Sequence, residues 1–305
     1  RRAARGSTRH AGGTPRVSIE RLRDSTIAIV GIGLMGGSLA LALRAQNACR
    51  RLIAITSNAT TREQLVARRI ADEASADWAR IAAADAIVLA APVRAIIEAL
   101  PRVGALAREG AIVFDLGSTK CDIVRAMEQL PARVQALGAH PMCGKNQAGF
   151  DAADAELYRG AVFVLTPLAR TTPETLAFAR AFVETLGARP LVLDAERHDR
   201  IVAAISHLPF SVATALMLTA LALARDDDAV WTLAASGFRD TSRLAASDVT
   251  MMRDILLTNS DNIADALRVY AQQLDALAQA IAARDETALN ALLTRAAEQR
   301  RAMFR

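Results

Sequence analysis

The run Thr26-Ile27-Ala28-Ile29-Val30-Gly31-Ile32-Gly33-Leu34-Met35-Gly36-Gly37-Ser38-Leu39-Ala40 decides the fold. Its first five residues are apolar or β-branched and read as a strand buried on both faces. Gly31, Gly33 and Gly36 form a G-x-G-x-x-G turn that opens the helical stretch Ser38 to Gln46. The three glycines have separate jobs: a tight turn, close approach of backbone to a pyrophosphate, and close packing of helix on strand. A helix N-terminus offers unpaired amides and a favourable dipole to an anion. The motif therefore predicts dinucleotide binding, with Gly31, Gly33, Leu34, Met35 and Gly36 as candidate contacts.

Outward from this run, short β-branched segments alternate with helical ones. Candidate strands are Leu52 to Thr56, Ala86 to Ala90, Ala111 to Phe114, Val134 to Leu137, Ala161 to Leu165 and Leu191 to Leu193. Candidate helices between them are Arg62 to Arg69, Val93 to Leu100, Lys120 to Gln129 and Pro173 to Leu186. Alternation of this kind predicts an α/β fold, a Rossmann-type doubly wound parallel sheet. After Asp194 strand signals stop and helical periodicity takes over, as in Ile263, Leu267, Tyr270, Leu274, Leu277 and Ile281. The expected division is a disordered basic arm at 1–23, a dinucleotide-binding domain at 24–194, and an all-helical C-terminal domain at 195–305 for substrate binding and dimerisation.

Composition narrows the function classes. The chain has 305 residues, 52% of them hydrophobic and 23% charged, which excludes disorder over its whole length. Its net charge of +5 is concentrated in residues 1–23, where seven arginines face one acid. The rest is close to neutral, so no nucleic-acid partner is expected. The arm reads as unstructured, with an organelle transit peptide as the alternative. Residues 201–224 contain no formally charged side chain over a length that could cross a bilayer. Ser206, His207, Pro209, Ser211 and Thr214 interrupt them, so a helix buried on all sides in a bundle is expected, and no membrane role. Three scattered cysteines argue for a reducing, cytoplasmic location and against a structural metal site; no metal is expected.

An NAD site usually ends its second strand with an acid that holds the ribose hydroxyls. Here Thr56, Ser57 and Asn58 stand there, with Arg62 close behind. Hydroxyls with a nearby guanidinium suit a 2′-phosphate, so NADP is favoured over NAD, with Thr56, Ser57 and Arg62 as contacts. Ligands of open parallel sheets lie beyond the carboxyl ends of the strands. Three polar clusters fall there or just inside the helical domain: Asp115 to Lys120, Gly138 to Lys145, and His198-Asp199 with Ser206-His207, followed downstream by Asp240 to Arg243. The only two lysines, Lys120 and Lys145, lie in these loops.

GIGLMGGSLA at 31–40, DLGSTK at 115–120, AHPMCGK at 139–145, HD at 198–199 followed by SHLP at 206–209, and DTSRLAASD at 240–248 together resemble the prephenate and arogenate dehydrogenases of tyrosine biosynthesis. The resemblance spans about residues 25 to 300. It implies oxidative decarboxylation of a cyclohexadienyl substrate with hydride transfer to NAD(P), and a homodimer through the helical domain. It assigns His140 as acceptor of the substrate hydroxyl proton, a task suited to imidazole near neutrality, and Ser118 as its hydrogen-bonding partner. Arg243 matches the arginine that grips a substrate carboxylate, and His207 a histidine of the substrate pocket. Asp199 and Lys145 join the substrate side, and Lys120 the cofactor side. Cys143 reads as a packing residue.

One position departs from the pattern. Many prephenate-using members have a second histidine three residues after the first, where this chain has Phe210. Two other readings are open: a β-hydroxyacid dehydrogenase, disfavoured because residues 195–305 contain no lysine, and a non-catalytic NADP sensor.

Overall fold

The computed structural model describes residues 15–145 and 147–303. In chain order the first elements are α1 (Pro15–Arg23), β1 (Thr26–Val30), α2 (Leu34–Ala45), β2 (Arg51–Ile55), α3 (Ala59–Ala67) and β3 (Glu73–Ser75). They continue with β4 (Ala86–Leu89), α4 (Val93–Leu106), β5 (Ile112–Asp115), α5 (Cys121–Glu128), β6 (Gln135–Pro141), β7 (Val162–Pro167), α6 (Pro173–Thr185) and β8 (Arg189–Val192). Every later element is helical: α7 (Ala195–Val202), a π turn at Ala203–His207, α8 (Leu208–Leu223), α9 (Ala229–Thr232), α10 (Ser236–Ser242), α11 (Val249–Thr258), α12 (Ser260–Ala282) and α13 (Glu286–Met303).

One eight-stranded sheet runs in the order β3-β2-β1-β4-β5-β6-β7-β8. Strand β1 pairs in parallel with β2 on one side and β4 on the other, which puts the crossover beside the glycine turn. Alternate side chains of each strand feed separate cores. Ile27, Ile29, Leu52 and Ala54 join Leu39, Leu43, Phe178 and Phe182 on one face. Ala28, Val30, Ile53 and Ile55 join Ile96, Leu100 and Val103 on the other. Near-continuous apolar strands follow from burial on both faces.

The sheet is the expected doubly wound, mostly parallel one, with a single antiparallel pair: β6 and β7, with His140 opposite Val164. The chain leaves β6 through a long loop rather than a crossover helix, and this reverses the strand direction. The short edge strand β3 has the sequence Glu-Ala-Ser, which carries no β-branched signal.

The disordered-arm expectation is also corrected, for residues 15–23. These form α1, which packs against α6; Leu22 is fully buried in the core that holds Phe178, and the Arg21 guanidinium lies 5.5 Å from the Phe178 ring centroid. Arginine density dominated the composition there, but a single well-placed leucine gives the segment an apolar face. Residues 1–14, including most of the basic arm, lie outside the described residues.

The expectation that residues 201–224 are buried on all sides fails in the single chain. Within α8 only Ala213 and Ala220 are buried, while Leu218 and Leu223 are more than 60% exposed. Among the described residues, Ala195–Leu223 is one helical stretch long and apolar enough to cross a membrane by length and composition. Among the described residues nothing covers its outward side.

Candidate active site

The glycine turn is shaped as the motif requires. Gly31 has φ +93°, and a Cβ there would stand 2.4 Å from the Ala90 carbonyl oxygen; one on Gly36 would stand 1.9 Å from the Gly31 carbonyl oxygen. A Cβ on Gly33 would meet nothing within 4 Å, so the space above it is open to a ligand. Gly33 is the residue before α2, and no side chain caps that helix, which leaves its first amides to an anion. From behind, Tyr158 donates to the Met35 carbonyl oxygen at 2.7 Å and Phe150 packs against Gly37. These residues fit a dinucleotide pyrophosphate.

At the end of β2, Asn58 caps α3 by accepting from the Thr61 amide at 3.0 Å. Arg62 donates to the carbonyl oxygens of Thr56 and Ser57 at 2.9 and 2.8 Å, which fixes a partly exposed guanidinium over the strand end.

The second centre grows from β5, β6 and α7. Asp115, the last residue of β5, is fully buried; it accepts from the amides of Gly117 at 2.7 Å and Ala139 at 2.9 Å, and pairs with the Lys120 ammonium. Burial pushes the Asp115 carboxyl up and the Lys120 ammonium down, while their mutual attraction opposes both shifts. Three donors converge on the Asp115 side chain, and each of them favours its carboxylate form against burial. This clasp ties the 116–120 loop to β6 one residue before His140.

Asp194 caps α7 by accepting from the Arg197 amide at 2.7 Å, and α7 then delivers His198 and Asp199, both buried. The Asp199 carboxylate accepts from the Lys120 amide at 2.7 Å and the Cys121 amide at 2.8 Å, so it caps α5 from the helical segment. Burial alone would raise its pKa; the hydrogen bonds from His198, Cys121 and Lys120 outweigh that and hold it below the ordinary carboxylate value. His198 Nδ1 lies 2.7 Å from Asp199 Oδ1, and His198 Nε2 lies 2.9 Å from His140 Nδ1.

Tautomers follow from this chain of contacts. A carboxylate only accepts, so His198 donates from Nδ1 and its Nε2 is the acceptor. His140 therefore donates from Nδ1 and keeps a lone pair on Nε2. Burial, followed by electrostatic opposition to a second positive charge beside His198, Lys120 and His207, holds His140 well below the usual imidazole pKa. His140 is thus a neutral ring with a free lone pair on Nε2, which has no protein partner among the described residues. Ser118, half-buried on the loop after β5, lies at the same carboxyl edge of the sheet.

His207 ends the π turn, the kind of helix irregularity often found at functional sites. It is buried, and burial lowers its pKa from 6.5 to about 4 against the raising effect of Asp199. Below pH 6.5 the unfolded chain takes a proton here that the folded chain refuses until about pH 4. Stability is therefore full above 6.5 and falls by about 3 kcal/mol as the pH drops toward 4. Melting temperatures at pH 7 and 4.5 check this: wild type must lose more than His207→Asn, and equal losses sink the assignment.

The remaining candidates separate. Lys120, expected at the cofactor, is enclosed in the ion pair with Asp115; its ammonium supports the loop instead. Lys145, expected on the substrate side, is exposed and pairs with Asp154 at 2.9 Å, and the Asp154 amide donates to Ser38 of α2. Arg243 is exposed at the start of a 3-10 turn packed beside α8. Burial pushes the Cys143 thiol up to about 11, which suits packing and not nucleophilic attack. Among the described residues no group of three His, Cys, Asp or Glu side chains could hold a metal.

Sequence reasoning left His198 without a role and overlooked Asn259. Asn259 donates to the Asp199 carbonyl oxygen at 2.8 Å and to His207 Nδ1 at 3.2 Å. Its only signal was the polar run Thr258-Asn259-Ser260-Asp261-Asn262 between two helical stretches.

Residues 39–192 match the family model described as prephenate dehydrogenase, nucleotide-binding domain, and residues 194–295 match the one described as prephenate dehydrogenase, dimerization domain. The chain belongs to the prephenate dehydrogenase family. It is 33% identical to the prephenate dehydrogenase of Bacillus subtilis, over 84% of this chain and 70% of that one. The structure of prephenate dehydrogenase from A. aeolicus in complex with hydroxyphenyl propionate and NAD+ superposes with a TM-score of 0.86 at 30% identity, covering 91% of this chain and 98% of that one. Synechocystis arogenate dehydrogenase superposes at 0.79 with 34% identity, covering 91% and 99%. The chain is accordingly a dehydrogenase of the Rossmann type, and neither a sensor nor a β-hydroxyacid dehydrogenase is favoured.

Proposed function

We propose that this dehydrogenase oxidatively decarboxylates arogenate or prephenate, with NADP preferred to NAD. The observation that carries the reaction is the chain of contacts Asp199 to His198 to His140, which leaves the His140 Nε2 lone pair without a partner among the described residues, at the carboxyl edge of the sheet. In its first step the ring carbon bearing the hydroxyl loses a hydride, and His140 Nε2 takes the hydroxyl proton as the carbonyl develops. The C–C bond to the ring carboxylate then breaks and carbon dioxide leaves. The released electron pair aromatises the ring, and His140 returns the proton to the phenol oxygen. When bound, the dinucleotide supplies the hydride acceptor, held by Gly31, Gly33, Leu34, Met35 and Gly36. Ser118 bonds the same hydroxyl. Asp199 and His198 keep His140 in the tautomer that can accept.

Arg243 grips a substrate carboxylate through a bidentate pair, and His207 contacts the substrate from the π turn. Arg243→Gln is expected to raise KM ten- to hundredfold, the worth of a charge-assisted bond of about 1.5–3 kcal/mol, with kcat within a few-fold of wild type. An unchanged KM in steady-state assays removes Arg243 from the site.

Preference for NADP rests on Thr56, Ser57 and the fixed Arg62 guanidinium. No acid stands at the end of β2: Glu63, the nearest, is exposed on α3, and Asp72 and Glu73 pair with Arg44, Arg51 and Arg80. Phe210 stands one helical turn after His207, where many prephenate-using members carry a second histidine, so arogenate is kept beside prephenate as a candidate. The domains are proposed at 24–194 and 195–305, and a second copy is proposed to cover the exposed leucines of α8, giving a cytoplasmic homodimer through the helical domain. The deciding assay is reduced-nicotinamide formation with prephenate or arogenate, each with NAD or NADP. Silence in all four combinations, with cofactor still bound, overturns the reaction.

A further inference from the structure

Asn259 sits at the break between α11 and α12, 4% exposed, with backbone angles φ −134° and ψ 31°. An asparagine before a helix ordinarily caps the helix amides. This one makes no such bond to α12. Its side chain reaches α7 and the π turn instead. Nδ2 lies 2.8 Å from the Asp199 carbonyl oxygen and 3.2 Å from His207 Nδ1, while Oδ1 accepts from Asn262 Nδ2 at 2.8 Å.

The orientation of this amide is determined from both ends. The Asp199 carbonyl oxygen can only accept, and the Asn262 amide nitrogen can only donate. The Asn259 NH2 group must therefore face Asp199 and His207, and its second hydrogen falls to His207 Nδ1. That nitrogen must carry a lone pair. In a neutral ring the proton then resides on Nε2. His207 Nε2 has no protein partner among the described residues and is not one of their enclosed unsatisfied atoms, which are Thr166 Oγ1 and Arg170 Nε. It is open to a ligand.

We propose that Asn259 is a positioning residue that locks His207 in the Nε2–H tautomer, making His207 a fixed hydrogen-bond donor to an acceptor oxygen of the substrate. The proposal rests on the reading that His207 contacts the substrate. A fixed donor recognises a carboxylate or carbonyl oxygen and gives nothing to an ammonium, so it addresses the oxygens common to both candidate substrates. The titratable groups acting on His207 are Asp199, which favours its protonation, and His198 and His140, which oppose it; burial settles the balance in favour of the neutral ring at pH 7.

The test reads the tautomer directly. In an imidazole nitrogen–proton correlation spectrum of the full-length, 15N-histidine-labelled protein at pH 7, the His207 signals are identified by their loss in His207→Asn. The expected wild-type pattern is a protonated Nε2 and a bare Nδ1. A protonated Nδ1 overturns the lock, and this measurement stands even where an Asn259 variant does not fold. Asn259→Asp replaces the donor with an acceptor, so the proton moves to Nδ1 and the ring pKa rises above about 4. With the donor misplaced, KM rises ten- to hundredfold while kcat changes only a few-fold. An Asn259→Asp ring that keeps the wild-type tautomer also overturns the lock. A switched tautomer with unchanged KM leaves the lock in place but overturns the substrate contact, which separates failure of this proposal from failure of the reading beneath it.

Discussion

His140→Asn is expected to lower kcat about 10²- to 10⁴-fold while leaving the dissociation constant for the dinucleotide unchanged. Asparagine can keep a hydrogen bond to His198 from the strand, so the edge of the sheet retains its shape. It cannot take the proton that leaves the substrate hydroxyl. Hydride departure from a carbon whose oxygen keeps its proton places positive charge on that oxygen in a buried site, where charge is costly. The dinucleotide rests on the glycine turn and α2, which His140 does not touch in the described contacts. Steady-state kinetics with a fluorescence titration of the cofactor separate the two effects. Turnover at the wild-type rate removes His140 from the mechanism. The same electrostatics set the wild-type pH profile. Burial, with His198, Lys120 and His207, lowers the His140 pKa below 6.5, so the protonated, inactive ring forms only on the acid side of that value.

The parts of this site visible in sequence are those that need a particular residue at a particular spacing. Gly31, Gly33 and Gly36 announce the turn because steric constraints admit no side chain at Gly31 or Gly36. The polar clusters that hold His140 and Ser118 were legible because strand ends place polar groups at the ligand edge, and the family resemblance singled out those two residues within them. The change from sheet to helices was visible at Asp194, a helix cap after the last apolar run. What stayed hidden depends on contacts across long stretches of chain. His198 and Asp199 are adjacent in sequence, yet their meaning lies in Lys120, Cys121 and His140, which are 58 to 79 positions away. Asn259 likewise meets its partners 52 and 60 positions away, and an asparagine in a polar run between helices reads as a break. Direction of charge was also hidden. Lysines in functional loops suggest anion contacts, but one faces inward to Asp115 and the other pairs with Asp154.

That inward lysine leads to the other large effect. Lys120→Met keeps the length and apolar stem of the side chain and removes only the charge, so packing is largely preserved. What it leaves behind is the Asp115 carboxylate, fully buried with two amide donors and no cation. Breaking a buried pair from one side costs about 3–5 kcal/mol, a large fraction of the 5–15 kcal/mol that holds a typical domain folded. The midpoint of urea unfolding should fall accordingly, and a loss under 1 kcal/mol would contradict the clasp. If Lys120 were instead a cofactor contact, the variant would weaken dinucleotide binding and leave unfolding untouched. Measuring both on the same protein distinguishes the two roles. A second consequence follows from the Ala139 amide, which is held by Asp115 one residue before His140. When the carboxylate is forced to protonate, that acceptor weakens and the strand end loosens, so whatever Lys120→Met protein folds should show a reduced kcat with an unchanged affinity for the dinucleotide.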